Sequence, residues 1–243
     1  MFSIFKNTKQ KARTPLLTDI HSHLLPGLDD GVKTFEESLS VIREFQQLGY
    51  TQLITTPHIM NDAYRNTPAI IENKLTELNQ YLAAQGVKIK ILAAAEYYLD
   101  EAFLHLIEQN KIPLTIGPSP YLLFETNYLN EPYQLTDFIF KVTTRGYKPI
   151  LAHPERYEYL LNNFEKLEDL RNRGVLFQIN LLSLINFYSK PVRKMAEKLI
   201  DKGWVEFLGS DCHNMNHARL LKEVHQTSYF KKALSLPLLN NQL

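Results

Sequence analysis

The sequence predicts an α/β fold in which strands and helices alternate along one chain. Apolar runs rich in β-branched residues alternate with helix-like segments about seven times, as in a closed or nearly closed barrel of TIM type. Helices that separate strands in this way form right-handed crossovers, so we expect the strands to be parallel. A glycine follows five of the helix-like segments just before the next strand: Gly49, Gly86, Gly146, Gly174 and Gly203. An open doubly wound sheet is the alternative arrangement.

Each strand is predicted from a short apolar run, and each helix from a longer helical pattern that stops at a glycine. The predicted strands cover residues 16–21, 51–56, 88–96, 121–125, 148–153, 175–180 and 205–211. The predicted helices cover residues 35–48, 68–85, 132–145, 164–173 and 191–202. Three of these helices begin with a proline, which is tolerated in a first turn because the amide hydrogen there is not needed.

Composition limits the classes of protein that the chain can belong to. A length of 243 residues with 44% hydrophobic residues suffices for one large domain, which we place at residues 16–243. The net charge of +1 indicates neither a nucleic-acid partner nor an anionic membrane, and no apolar run is long enough to predict a membrane span. Residues 1–15 are basic and polar, so we expect a flexible tail; a docking segment is the other interpretation. The single cysteine excludes an internal disulfide, which fits the cytoplasm.

Imidazole and carboxylate residues stand at the C-terminal ends of six predicted strands. In chain order these are Asp19, His21 and His23, then His58, Glu96, Glu125 and His153, and finally Asp211 and His213. In parallel α/β folds, active sites are built at this edge. Such side chains are ligands for Mn, Fe or Zn, and their number exceeds what one ion needs. The sequence therefore predicts a site for two or three metal ions.

The spacing of two motifs supports this interpretation. In an extended segment, side chains two residues apart share a face. His21 and His23 should therefore point to the same side, as should Asp211 and His213. Cys212 should face the helices, as a packing residue and not a nucleophile. One HxH pair alone is weak evidence for a metal site. Ligand-type residues at six strand ends are not explained by chance.

The motifs DIHSHLLPGLDDG, TTPH, AAEYY, FE, AHPERY and SDCHN together resemble the polymerase and histidinol phosphatase (PHP) superfamily. More narrowly, they resemble the bacterial manganese-dependent protein-tyrosine phosphatases of capsule and exopolysaccharide loci. The resemblance covers residues 16 to 225. It implies a PHP fold, which is a distorted TIM-like (β/α)7 barrel, with a three-metal site at the C-terminal ends of the strands.

The resemblance also implies a role for each motif residue. The first ion would take His21, His23, Glu96 and Asp211, the second Glu96, Glu125 and His153, and the third Asp30, His58 and His213. Arg156 matches the phosphate-binding arginine of the family, because a guanidinium fork suits phosphate oxygens. Arg219 is the nearest match to a second arginine, although the segment HNMNHAR is one residue longer than the family pattern.

Two acidic residues and one loop near these motifs also have expected roles. We expect Asp19 to support the ligands and Asp29 to hold a turn or cap a helix. The segment IMNDAYRNTP after His58 is either a lid over the site or a plain surface loop.

The function that the resemblance implies is hydrolysis of a phosphomonoester without a covalent enzyme intermediate. By this resemblance, a hydroxide held by two metals would attack phosphorus, and Arg156 would bind the phosphate. The expected ion is Mn²⁺, with Fe or Zn as alternatives. The expected partner is a phosphotyrosine protein, the tail of a membrane-associated tyrosine kinase; an oligomer is compatible with the sequence.

Three other functions remain open at the level of sequence. A small-molecule phosphatase, such as a histidinol phosphatase, would use the same chemistry. A PHP-type exonuclease would need a basic track for its strand, and the sequence has no stripe of lysine and arginine. A non-catalytic metal-binding module would not need Arg156 beside the ligands.

Overall fold

The computed structural model describes residues 15–111, 113–117 and 120–243. All but the last residue of the predicted basic tail lies outside the described residues. The strands are β1 (Thr18–Asp19), β2 (Gln52–Thr55), β3 (His58–Ile59), β4 (Lys90–Ala93), β5 (Glu96–Tyr98), β6 (Tyr121–Glu125), β7 (Lys148–Ala152), β8 (Leu176–Asn180) and β9 (Phe207–Gly209). The α-helices are α1 (Phe35–Gln47), α2 (Pro68–Ala84), α3 (Glu101–Glu108), α4 (Leu135–Thr144), α5 (Phe164–Asn172), α6 (Lys190–Lys202), α7 (Met215–Val224) and α8 (Ser228–Ala233).

The strands are parallel and follow one another around a barrel. One sheet has the order β1-β2-β4, and the other has the order β3-β5-β6-β7-β8-β9. β2 runs into β3 and β4 into β5, so the two sheets share two continuous segments of chain. The chain after β9 returns to the chain after β1 through a parallel bridge between Ser22 and Cys212. Seven strand segments therefore follow the barrel, and the predicted parallel α/β barrel is confirmed.

The structure divides the predicted strand 88–96, and it adds a short strand, β3, just beyond the predicted strand 51–56. The register between these neighbours is constant, with Thr55 opposite Ala93 and His58 opposite Glu96. The gap falls at Pro57, which has no amide hydrogen to donate to the ladder. The predicted strand 88–96 therefore appears as β4 and β5, and β5 continues two residues past Glu96.

Helix α3 was not predicted from the sequence. It has 8 residues, too few for a clear helical pattern. Its start is nevertheless marked, because the Asp100 carboxylate accepts a hydrogen bond of 2.8 Å from the Phe103 amide.

Apolar side chains fill the barrel below its mouth, so the fold holds a packed core and not a pore. Ile20, Ile54, Leu123, Ile150 and Phe207 belong to this inner cluster and are fully buried. A larger cluster packs the helices against the outside of the strands. At the bottom, the buried Asn240 amide donates to the carbonyls of Thr18 (3.0 Å) and Leu208 (2.7 Å). None of the helices in the described ranges is long and apolar enough to span a membrane.

Candidate metal centre

The mouth of the barrel is a cavity of about 580 Å³. All nine predicted metal ligands belong to groups there whose donor atoms lie within 4.8 Å of one another. The groups are His23, Asp30, His58 and His213; His21, His23 and Glu96; His21, His153 and Asp211; and His58, Glu96 and Glu125. The strands of the barrel thus bring together residues as far apart in the chain as His21 and His213, which are 192 positions apart.

The ends of β1, β7 and β9 show how the backbone aims these side chains. Ser22 pairs with Cys212, and the residues on either side of each meet in one ligand cluster, as predicted. His153 and Asp211 have φ angles of +34° and +49°. A left-handed conformation is unfavourable for residues other than glycine and is held here by the surrounding structure, as often occurs at functional sites.

His21 and His23 are fully buried and face the ligand cluster through Nε2. His21 Nε2 lies 3.1 Å from Glu96 Oε2, and His23 Nε2 lies 3.3 Å from Asp211 Oδ1. Their other ring nitrogens have partners of their own: His21 Nδ1 is 2.8 Å from Gln178 Oε1, and His23 Nδ1 is 2.7 Å from Asp29 Oδ2. Each acceptor fixes the Nδ1–H tautomer and leaves Nε2 with its lone pair toward the cluster.

This arrangement corrects the role expected for Asp29. Its carboxylate also accepts hydrogen bonds from the Gly31 amide (2.9 Å) and the His58 amide (3.1 Å). Asp29 therefore does hold a turn, but its main contact orients a predicted metal ligand. Asp19 has the supporting position that was expected, because its carboxylate accepts from the amide and hydroxyl of Ser210, next to Asp211.

Glu96 lies at the centre of the cluster. Its Oε2 is 3.1 Å from His58 Nδ1, and its Oε1 is 3.2 Å from His153 Nε2. His58 Nδ1 also lies 3.1 Å from Glu125 Oε1. On the outer side, His213 Nε2 and His58 Nε2 approach Asp30 Oδ1 at 3.5 and 3.6 Å.

The residues present fit cations. Glu96 Oε2 and His58 Nδ1 are buried and close to several polar atoms, yet neither makes a hydrogen bond of acceptable geometry with the described residues. Buried polar groups are normally paired, and atoms that converge on a point without hydrogen-bond angles are typical of ligands around an ion. Carboxylate oxygens and imidazole nitrogens suit Mn, Fe and Zn.

Electrostatics lead to the same conclusion. The nine residues comprise five imidazoles and four carboxylates, so the mouth holds negative charges that need positive partners. Burial alone would lower the pKa of His21, but the carboxylates of Glu96 and Asp211 raise it to about 10. Burial likewise opposes protonation of His58, whose pKa the carboxylates raise to about 10.

Arg156 lies beside the cluster and contacts one carboxylate and two aromatic rings. Its Nη1 donates to Asp211 Oδ2 at 2.9 Å. The guanidinium carbon is 4.1 Å from the ring centre of Tyr188 and 4.9 Å from that of Tyr128. Burial opposes its charge, but Asp211 and the two tyrosines hold the pKa above the usual arginine value. A fixed guanidinium at the cavity wall can bind an anion next to the metal ligands.

Residues 17–233 match the family model for capsular polysaccharide synthesis proteins, CpsB/CapC. The chain belongs to the CpsB/CapC family. A curated relative, the putative tyrosine-protein phosphatase CapC of Staphylococcus aureus, is 31% identical over 209 residues, which are 86% of this chain and 82% of the relative.

Solved structures share the fold. One belongs to the pair YwqE of Bacillus subtilis and CpsB of Streptococcus pneumoniae, which are described as unique metal-dependent tyrosine phosphatases. It superposes with a TM-score of 0.76 at 25% identity, over 90% of this chain and 94% of that chain. The histidinol phosphate phosphatase of Lactococcus lactis shares the fold, with a TM-score of 0.51 at 16% identity over 86% of this chain and 94% of that one.

The segment IMNDAYRNTP, which begins in β3, lies beside the metal-ligand cluster in this CpsB/CapC protein. Met60 pairs with Tyr64 in an antiparallel bridge, and Tyr64 stacks on His58 with ring centres 5.5 Å apart. Met60 and Tyr64 line the cavity. Tyr64 therefore forms part of the cavity wall, while the lid and the plain surface loop both stay predictions for IMNDAYRNTP.

Arg219 differs from the other predicted site residues. It lies on α7 with an exposed side chain and is not among the residues that line the cavity. Its catalytic role stays a prediction. Cys212 is fully buried and its Sγ lies 3.4 Å from the Asn214 carbonyl, as a packing residue would.

Sequence reasoning missed several residues that support the CpsB/CapC site. Gln178 orients His21, Tyr188 stacks on Arg156, and His217 lines the cavity. Asn180 donates to Asp211 Oδ2 at 2.8 Å. Gln178 and Asn180 could have been identified from the sequence, because both are polar residues in the otherwise apolar strand LFQIN.

Proposed function

We propose that this chain hydrolyses phosphotyrosine in proteins with divalent metal ions bound at the mouth of its barrel. The observation that carries the proposal is the convergence of nine ligand-type residues in one cluster, seven of which line the same cavity as Arg156. A metal-binding module without catalysis would have no use for a buried, stacked arginine at the cavity wall. The phosphatases among its relatives support the same activity.

The proposed ligands follow the three sets that the resemblance implies. They are His21, His23, Glu96 and Asp211 for one ion, Glu96, Glu125 and His153 for the second, and Asp30, His58 and His213 for the third. The groups of donor atoms support this division in part, since Asp30, His58 and His213 form one group with His23. We propose Mn²⁺ as the native ion. When bound, such ions neutralise phosphoryl charge and activate the attacking water.

The chain's own residues would bind and orient the phosphoryl group. Arg156 offers a planar set of donors, and its partners Tyr128 and Tyr188 prevent the side chain from swinging away. Because Arg156 is mostly buried, its attraction for a phosphate oxygen is stronger than at a water-exposed surface. Developing charge on phosphorus-bound oxygens would therefore meet a donor that is already in place.

The walls of the cavity suit an aryl group. Met60, Tyr64, Tyr98 and Tyr128 line the mouth around the polar cluster. Aromatic and thioether walls can pack against a phenyl ring while the phosphate reaches the ligands. A tyrosyl leaving group has a pKa near 10, so it needs modest assistance when it departs.

The proposed substrate is a phosphotyrosine protein, specifically the tail of a membrane-associated tyrosine kinase that controls capsular or exopolysaccharide synthesis. Membership of the CpsB/CapC family supports this assignment. We propose that the protein acts in the cytoplasm, where its buried free thiol would remain reduced.

The test is turnover by protein that is stripped of metal and then reloaded with Mn²⁺, Fe²⁺ or Zn²⁺. The Mn²⁺ form should hydrolyse a phosphotyrosine peptide faster than the matched phosphoserine peptide or histidinol phosphate. His21→Ala and Arg156→Ala should each lower kcat/KM by more than about 100-fold. Arg173→Ala is the matched control, because this arginine pairs with Asp169 on the surface. Activity near the wild-type level in both site variants would refute the assignment.

A further inference from the structure

One loop organises two donor side chains at the cavity. After β8, Asn186 turns the chain with a φ of +60° and is followed by two aromatic residues. Tyr188 stacks on Arg156 at 4.1 Å. Phe187 packs edge-on against the ring of His217, with ring centres 5.0 Å apart. Adjacent residues of one loop thus hold Arg156 and His217, and both of these line the same cavity.

The contacts of the His217 ring define which nitrogen can donate. Nδ1 lies 3.3 Å from the backbone amide of His213, which is an obligate donor. Asp211 O is 3.4 Å from the same Nδ1, but the His213 amide hydrogen is already directed at that nitrogen and leaves no room for a second hydrogen there. The neutral imidazole therefore accepts at Nδ1 and carries its hydrogen on Nε2. Nε2 has no hydrogen-bond partner among the described residues.

Arg219 lies on a different face of α7 from His217. His217 is in the first turn of α7, whose start is fixed by the Asn214 side chain accepting from the His217 amide at 3.1 Å. Two residues along an α-helix correspond to a rotation of about 200°, so the side chains of 217 and 219 leave opposite faces of α7. His217 is half-buried at the cavity, whereas Arg219 is exposed.

We infer that His217 Nε2–H, and not Arg219, is the second donor to the substrate's phosphoryl oxygens, in addition to Arg156. This inference rests on the proposed phosphatase function. His217 is not in any of the groups of potential metal ligands, so it remains available to an anion when ions are bound. The His217 donor is neutral, so it would orient the phosphoryl group through a directional hydrogen bond, whereas Arg156 would supply the positive charge.

The test measures binding of inorganic phosphate to the Mn²⁺-loaded full chain by calorimetry. His217→Leu removes the donor and keeps an apolar contact for Phe187, whereas His217→Gln keeps an amide donor of similar reach. We expect the leucine variant to bind phosphate about tenfold more weakly and the glutamine variant to retain most of the affinity. Arg219→Ala should bind phosphate like the wild type.

Several results would overturn the inference: wild-type phosphate affinity in His217→Leu, equal losses in the leucine and glutamine variants, or the loss in Arg219→Ala instead. Metal content and melting temperature are measured for each variant, and His217→Ala replaces the leucine variant if that chain does not fold. Turnover of an aryl phosphate by the wild type is measured separately. A wild type that binds phosphate but hydrolyses no aryl phosphate would refute the proposed function, while the variants would still decide the role of His217.

Discussion

The inner and outer parts of the candidate metal centre are built differently. The inner ligands His21, His23 and Glu96 have at most 1% of their side-chain surface exposed, and Asp211 has 5%. The outer ligand Asp30 is 54% exposed, and the outer histidines His58 and His213 are 13% and 18% exposed. The inner ligands lie on or beside strands, whereas Asp30 lies in the loop before α1.

Asp30 also differs from the inner ligands in its supporting contacts. Gln178 and Asp29 orient the two inner histidines, and Asn180 donates to the inner carboxylate Asp211. Asp30 has no comparable support among the described residues; its close polar neighbours are His58 and His213. Ligands that are held in place before the ion arrives lose little entropy on binding. We therefore expect the inner ions to bind more tightly than the outer one, which should exchange with solution.

Replacement of the central inner ligand should have the largest effect. Glu96→Gln keeps the volume of the side chain but removes a carboxylate that lies within 3.2 Å of His21, His58 and His153. We expect kcat/KM to fall by more than about 100-fold, because the site loses an anionic ligand from its centre. Added Mn²⁺ should not restore activity, and metal analysis should show fewer ions per chain. Retention of full metal content would contradict the central position of Glu96.

Loss of the support behind an inner histidine should have the next largest effect. Asp29→Asn leaves the shape of the side chain but weakens the 2.7 Å hydrogen bond from His23 Nδ1. Substitution of such partners lowers metal affinity by about 10- to 100-fold, and we expect a loss in that range for Mn²⁺. Asp62→Asn is the control, since Asp62 is exposed in the segment after β3 and is not a cavity residue. A metal titration with equal affinity in the two variants would refute the role of Asp29.

The sequence predicts the barrel and the ligand positions better than the supports, for a physical reason. Strand–helix alternation and the rule that parallel strands present their C-terminal ends at one edge are local in sequence, and they suffice to bring His21 and Glu96 together. The partner of a histidine ring is a long-range contact: Gln178 is 157 residues from His21. No local pattern indicates which polar residue of a neighbouring strand will meet that ring.

Helix phase explains the difference between His217 and Arg219. The sequence alone does not show at which residue of HNMNHAR the helix begins. It therefore does not decide whether His217 or Arg219 faces the site. Once Asn214 caps α7, the phase is fixed and His217 faces the cavity. The loop that places Phe187 and Tyr188 depends in the same way on one left-handed residue, Asn186, and asparagine is only enriched in that conformation, not diagnostic of it.

Weakening the outer site should have the smallest effect and should be reversible. Asp30→Asn removes the charge of a half-exposed ligand without disturbing a buried contact. We expect activity at low Mn²⁺ to fall by about tenfold and to recover as Mn²⁺ is raised, because mass action refills a weakened site. Dialysis against a mild chelator should remove one ion from the wild type before the others, and that first loss should be absent in Asp30→Asn. If the wild type instead lost all its ions together, the inner and outer sites would be a single cooperative unit, and the distinction between them would be wrong.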